Sequence, residues 1–253
     1  IYEMNQKDTF AELQDQPLVS IIIPNKDHTK ELDTCIRSIE QRSSYRNYEY
    51  IIIENNSEED RTFQYYKDIQ KEFPHLKVIS FPDAFNFAKI NNFAVSYAKG
   101  DYLLLLNNDT EMIAPDTISE MLRYAEKKDV GVVGARLYYP DDTIQHAGVI
   151  IGYGGIVGHA FAGVSRKESG YQNRIITVQN YSAVTAACMM VRREIYEMVH
   201  GMSEEYEVAF NDIDFCLKVR EQGYLVVYTP DAELYHYESK SRGIDDTVDK
   251  MMR

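Results

Sequence analysis

The sequence predicts an α/β domain built on a mostly parallel central sheet flanked by helices. Short apolar, β-branched runs alternate with segments of helical periodicity, and three of those runs stop abruptly on polar residues. Bulk composition agrees: 253 residues, 44% hydrophobic and 12% aromatic, suffice for one substantial core with a smaller lobe attached.

The first apolar run, Leu18–Ile23, follows a polar leader at 1–16 and breaks at Pro24, Asn25 and Asp27. From Thr29 to Gln41, Leu32, Cys35, Ile36 and Ile39 form a helical stripe; strand character returns at Tyr48–Ile53 and ends in Glu54, Asn55 and Ser57. A helix over Arg61–Glu72, a strand over Leu76–Phe81 and a helix over Asn86–Ala98 follow. The greasiest segment, "GDYLLLLNNDTEM", reads as a strand buried on both faces that gives way to Asn107, Asn108 and Asp109. A helix from Pro115 to Lys127 and a strand over Val130–Ala135 complete the alternation. Strands separated by helices imply right-handed crossovers. The polar clusters 25–27, 54–57 and 107–109 are therefore expected along one sheet edge, where open α/β sheets bind ligands.

Beyond Tyr138 the chain turns Gly-rich, and together with the strand-like Ser182–Val191 this predicts an added lobe closing over the sheet edge. "GYGGIVG" neither follows the first strand nor opens an amphipathic helix, so it reads as a flexible hairpin rather than a phosphate cradle. His146 and His159 read as ordinary hairpin residues. Over Phe210–Tyr224 the periodicity predicts a helix with Ile213, Cys216, Leu217 and Arg220 on one face and Gly223 as its stop. Asp212 and Asp214, two apart, point roughly 200° from each other on that helix and cannot share one task. The last strand-like segment carries His236, an imidazole suited to a divalent ion already held by carboxylate and phosphate oxygens.

A net charge of −13 argues against nucleic acid and anionic membrane surfaces as partners, and a bound phosphate would bring a cation with it. No Walker-type loop occurs, and no Gly-rich loop follows the first strand, which disfavours phosphoryl and nucleotidyl transfer. Cys35, Cys188 and Cys216 lie far apart, fitting a reducing compartment. No apolar run is long enough to span a bilayer and the N-terminus lacks a signal-peptide pattern. Starting at Ile1, the chain is expected to be cut from something longer.

Five stretches, "VSIIIPNKD", "IIIENNS", "LLLLNNDTEM", "AACMMVRRE" and "FNDIDFCLKVREQGY", in this order and spacing, resemble the family-2 glycosyltransferases of the GT-A fold. Stretches similar to "IQHAGV" and "ELYHYESKSRG" mark the bacterial rhamnosyl- and galactosyl-type members that build cell-surface polysaccharides. The resemblance implies an inverting, metal-dependent transfer of a sugar from a UDP- or dTDP-sugar to a hydroxyl of a glycan or lipid-linked glycan. It implies that Asp109 holds Mn²⁺ or Mg²⁺ against the donor diphosphate, with Asn108 replacing the other acid of the usual Asp-x-Asp and His236 as a second metal ligand. Glu54, where many members have Asp, would contact the nucleobase. Pro24, Asn25, Asp27 and Asn55 would shape that pocket, and Asn91 and Asn92 would approach the donor. The usual Glu-Asp pair reads Asn211-Asp212 here, leaving Asp212 as the catalytic base.

On this reading residues 17–136 form the nucleotide-sugar-binding half and 137–238 the acceptor-binding and catalytic half with its smaller β lobe. Residues 239–253 form a tail serving as a linker to further domains. The expected location is cytoplasmic, at the inner face of the plasma membrane and at most peripheral to it. The competing reading is a non-catalytic sugar-nucleotide or glycan-binding module of the same fold, which would lack turnover.

Overall fold

The computed structural model describes residues 16–153 and 155–237, so most of the expected polar leader and the whole 239–253 tail lie outside the described residues. In chain order the elements are β1 (Val19–Asn25), α1 (Thr29–Arg42), β2 (Tyr48–Glu54), α2 (Asp60–Glu72), β3 (Leu76–Ser80) and α3 (Phe87–Val95). They continue with β4 (Tyr102–Leu106), β5 (Thr110–Met112), α4 (Thr117–Ala125), β6 (Val130–Tyr138), β7 (Ile144–His146), β8 (Val149–Ile151) and β9 (Val157–His159). The last are β10 (Gln179–Asn180), β11 (Cys188–Arg192), α5 (Arg193–Met198), α6 (Asn211–Glu221) and β12 (Leu225–His236).

Ten strands form the main sheet in the order β10-β12-β6-β11-β4-β1-β2-β3, with β5 added beside β12 and β7 beside β6. β1 runs parallel to both β2 and β4, and all seven residues of β2 are buried, as a strand covered on both faces requires. Alternate residues feed two cores. Ile22, Ile51, Leu103 and Leu105 pack on one face, and Ile21, Ile23, Ile52 and Leu104 on the other.

The first correction concerns the neighbour of the leucine strand. Segment 182–191 was expected in the added lobe, yet its Cys188–Arg192 portion is β11, antiparallel between β4 and β6 in the centre of the sheet. Its Met189, Met190 and Val191 are fully buried, and a long connection returns this apolar segment to a central sheet position where both its faces are covered. The added lobe is confined to the β8–β9 hairpin and the loops around it.

The second correction concerns α6. The ridge it buries is Asn211, Phe215, Cys216 and Val219, while Ile213 and Leu217 are half-buried and Arg220 is exposed. Phe215 is the largest apolar group on the helix and turns it toward the core. Gly223, at φ 90°, ends it as expected. Among the described residues no helix is long and apolar enough to cross a membrane.

Candidate active site

The three polar clusters converge at the carboxyl ends of β1, β2 and β4, and they are laced together. The Asn55 N–H donates to the Asn25 carbonyl (2.9 Å), and the Asn108 amide donates to the Asn25 side-chain oxygen (2.6 Å). Asn25 in turn donates to the Tyr66 hydroxyl and the Asp27 carbonyl, both at 2.7 Å.

Most of the residues expected to read the nucleotide are thus occupied within the protein. Asp27 sits in the left-handed region (φ 54°) and accepts from the Glu58 and Glu59 N–H groups and the Thr62 hydroxyl, capping the start of α2. Burial pushes its carboxyl up, but those donors outweigh it and hold the carboxyl below the ordinary aspartate value. Asn55 donates to the Phe81 and Asp83 carbonyls. Glu54 accepts from the Ser57 N–H (2.6 Å) and the Ser80 hydroxyl (3.1 Å), so its carboxylate closes the β2 turn and ties it to β3. Pro24 remains partly exposed at the end of β1.

The expectation for Asn91 and Asn92 is not met. Asn91 is fully buried and its amide donates back to the Phe87 carbonyl within α3. Asn92 accepts from the Tyr196 hydroxyl (2.7 Å) and the Met202 N–H (2.9 Å) and donates to the Met202 carbonyl (3.0 Å). The buried Asn91 amide is spent on the backbone of its own helix, and the partly exposed Asn92 clasps α3 to the segment after α5.

At the end of β4 and β12 the geometry is different. Gln145 donates its Nε2 to the His236 carbonyl (3.3 Å), which turns its Oε1 toward His236 Nδ1 at 2.7 Å. An acceptor there requires the proton on Nδ1, so in the neutral ring Nε2 carries the lone pair. That lone pair faces the Asn107 amide at 3.1 Å and Asp109 Oδ1 at 3.2 Å. Adjacent ligands on an octahedral ion with bonds of ~2.1 Å lie about 3 Å apart, so Asp109 and His236 fit two neighbouring positions of one divalent cation. Among the described residues no group of three or more His, Cys, Asp or Glu side chains is arranged to hold an ion, which leaves the remaining positions to ligand oxygens and water. The side-chain oxygen of Gln145 keeps the imidazole in the ligating tautomer.

A cleft opens beside this pair, lined by Asn107, His159, Thr185, Ala186, Asp212 and His236 among others. Asp212 stands in the first turn of α6, and Phe210 before it adopts a left-handed conformation (φ 63°) that swings the helix start into the cleft. Its oxygens accept from the Ile213 N–H (2.8 Å) and the Ala186 N–H (3.3 Å). Burial raises the carboxyl above its ordinary value, opposed by the Ala186 N–H, the neighbouring His159, the Ile213 N–H and the Thr185 hydroxyl. A carboxylate raised toward neutrality and placed in a cleft is suited to accept a proton. Asp214 faces another way, with Lys218 as its electrostatic partner.

The structure therefore brings Asp212 and His236 to one cleft, with Asp109 3.2 Å from the His236 imidazole. Asn107, expected at the sheet edge with its cluster, lines the same cleft, as do Thr185 and His159, and Gln145 stands behind His236. Thr185, His159 and Gln145 come from three separate segments and were not singled out from the sequence as members of the site.

The family model for glycosyl transferase family 2 matches residues 20–199 of this chain. An uncharacterized protein, y4gI, of Sinorhizobium fredii (strain NBRC 101917 / NGR234) is 48% identical over 95% of the chain, which spans 27% of that protein. The O-antigen biosynthesis protein RfbC of Myxococcus xanthus is 36% identical over 90% of the chain, which spans 18% of it. The chain thus covers about a quarter or less of these relatives. The dTDP-rhamnosyl transferase RfbF of Shigella flexneri is 20% identical over 87% of the chain and 68% of its own length. Among solved structures, GalNAc-T7 with UDP, GalNAc and Mn²⁺ aligns with a TM-score of 0.75 at 12% identity, covering 92% of this chain and 46% of that one. The mannosyltransferase PcManGT from Pyrobaculum calidifontis with GDP-Man and Mn²⁺ aligns at 0.67 and 16% identity, covering 90% and 59%. These two likenesses establish the GT-A fold.

Proposed function

The chain belongs to glycosyltransferase family 2, and we propose that it moves a sugar, with inversion, from a UDP- or dTDP-sugar to a hydroxyl of a glycan or lipid-linked glycan in bacterial cell-surface polysaccharide synthesis. The observation that carries this reading is the cleft lined by both Asp212 and His236, with Asp109 3.2 Å from the His236 ring. The names of RfbC and RfbF favour O-antigen-type acceptors and a dTDP-rhamnose-type donor.

Asp109 and His236 would hold Mn²⁺ or Mg²⁺, which when bound supplies Lewis-acid stabilisation to the leaving diphosphate. Gln145 keeps the His236 lone pair on Nε2, and Asn107, whose amide donates to that lone pair, would yield the place to the ion. Asp212 takes the proton of the acceptor hydroxyl as its oxygen attacks the anomeric carbon from the face opposite the diphosphate. One base and one displacement invert the configuration. Pro24 and Glu54, at the ends of β1 and β2, would frame the nucleobase, within a donor half spanning 17–136. Residues 137–238 supply the acceptor side and the base. The same proposal places the reaction in the cytoplasm at the inner membrane face, where the buried thiols Cys35, Cys188 and Cys216 stay reduced.

The test is a thermal-shift panel of UDP-, dTDP- and GDP-sugars in Mn²⁺ with and without EDTA, followed by assay of nucleoside diphosphate release. The expected result is stabilisation by one nucleotide class that EDTA abolishes, and loss of that metal-dependent stabilisation in Asp109→Ala without loss of fold. Stabilisation of equal size in EDTA, or in Asp109→Ala, would overturn the metal assignment. Binding without any turnover would instead favour a non-catalytic module.

A further inference from the structure

His146 and His159 form a pair that the reading above leaves without a task. His146 ends β7 and is completely buried. Two residues on, Gly148 adopts φ 102°, where a Cβ would lie 2.2 Å from the Tyr181 ring. This turn sends the Gly148 N–H back to His146 Nε2 at 3.3 Å. A backbone N–H only donates, so His146 Nε2 carries the lone pair and the proton of the neutral ring sits on Nδ1. Burial, reinforced by His159 and His236, keeps the ring neutral.

The His146 Nδ1–H meets His159 Nδ1 at 2.7 Å, with the rings edge-on at 79°. His159 must therefore accept at Nδ1 and carry its own proton on Nε2, the nitrogen on the side of the ring away from His146. Protonating His159 would set its Nδ1–H against that of His146. Flipping the His146 tautomer would set an Nε2–H against the Gly148 N–H. Either leaves two donors face to face, His159 being exposed on the cleft side but His146 completely buried, so that the buried ring loses the partner it needs at a cost of about 1–3 kcal/mol. His159 ends β9 and lines the cleft with Asp212.

We propose that His146 locks His159 as a neutral Nε2–H donor on the cleft wall, where it holds the acceptor hydroxyl that Asp212 deprotonates. The proposal rests on the glycosyltransferase reading and makes His146 a positioning residue. A hydroxyl offers one proton and two lone pairs. Its proton passes to Asp212, one lone pair accepts from His159 Nε2–H, and the other forms the bond to the anomeric carbon. The bond from that carbon to the diphosphate breaks with its electrons going to the diphosphate, and His159 keeps its own proton throughout. The other titratable groups near the pair are His236 on β12 and Asp212 on α6, whose carboxylate draws a proton toward His159 while the His146 Nδ1–H bars it from Nδ1. Denied a proton at Nδ1, His159 does not compete with Asp212 as a base.

The tautomer is read directly by long-range ¹⁵N–¹H correlation of the histidine rings at pH 7.5 in the wild type, His146→Leu and His146→Asn, with folding checked by circular dichroism. In the Asn variant the amide nitrogen stands where Nδ1 stood and keeps an N–H toward His159. The expected result is His159 as Nε2–H in the wild type and His146→Asn, and a mixture of tautomers in His146→Leu. An Nδ1–H His159 in the wild type, or the same tautomer ratio in His146→Leu, overturns the lock and reduces the pair to a stitch between β7 and β9. In a second arm, nucleoside diphosphate release from the sugar-nucleotide panel, with water as nucleophile, falls about tenfold in His159→Leu, the worth of roughly one hydrogen bond to the nucleophile. Equal rates overturn the orienting role. A wild-type protein that turns over no member of the panel refutes the glycosyltransferase reading and the orienting role with it, while the tautomer result stands separately.

Discussion

Replacing Asp212 with Asn separates what this carboxylate does for turnover from what it does for stability. The amide oxygen can keep one of the two backbone donors, Ile213 N–H at 2.8 Å or Ala186 N–H at 3.3 Å, while the amide nitrogen then faces the other. That mismatch costs roughly 1–2 kcal/mol. The charge works the other way. Burial raises the Asp212 carboxyl above its unfolded value, so the folded state binds the proton more tightly and ionisation weakens the fold. The penalty is absent below the ordinary aspartate range and fully present above the raised folded value, and Asn removes it. The stability of Asp212→Asn relative to the wild type should therefore improve as pH rises through that window. Turnover should fall by about 10²–10⁴, because the amide cannot take the proton of the attacking hydroxyl; at ~1.36 kcal/mol per factor of ten this is about 3–5 kcal/mol of barrier. Nucleoside diphosphate release at saturating donor measures the first effect, and melting temperatures at pH 4.5 and 7.5 the second. Turnover within tenfold of the wild type, or a stability difference that worsens toward pH 7.5, would refute the reasoning.

Gln145→Leu removes the acceptor that fixes the His236 tautomer, and the affinity for Mn²⁺ in the presence of nucleotide should drop about 10–100-fold, as read by the electron paramagnetic resonance of free Mn²⁺. Asn92→Ala strips the Tyr196 hydroxyl, the Met202 N–H and the Met202 carbonyl of their partner, and should cost about 2–4 kcal/mol in urea unfolding without changing nucleotide affinity in the folded fraction. Gly134→Ala places a Cβ 2.5 Å from the Val184 Cβ in the middle of β6, so a loss of about 1–3 kcal/mol should appear as a melting temperature several degrees lower.

The alternation of apolar runs and helical stripes was enough to foretell β1 through β4 and the helices between them, because each of these elements is specified by its own residues. The leucine strand is the plainest case: Leu103–Leu106 are all buried, and Asn107, Asn108 and Asp109 end the strand at the sheet edge. Where periodicity had to name a face of a polar helix it failed. In α6 the bulk of Phe215 outweighed the apparent stripe through Ile213 and Leu217. Residue type at Asn91 and Asn92 suggested polar contact with a ligand, but nothing in the local sequence told whether those amides face a cleft or a neighbouring loop.

By itself the sequence determined the α/β class, the sheet edge on which polar residues would gather, and, through resemblance, the family and the identities of Asp109, Asp212 and His236 as candidates. Only the tertiary structure decided the rest. Whether Asp212 and His236 share one cleft depends on β11 crossing to the sheet centre and on β12 bringing its end beside β5, contacts between residues 82 to 126 positions apart. The protonation pattern around the cleft was equally hidden, since the tautomer of a histidine is set by whatever the fold places against its two nitrogens. Gln145 sits 91 residues from His236, and His146 meets His159 across a hairpin of two short strands. Local propensity acts over a few residues, whereas these partners are chosen by chain crossings that no short window of sequence contains.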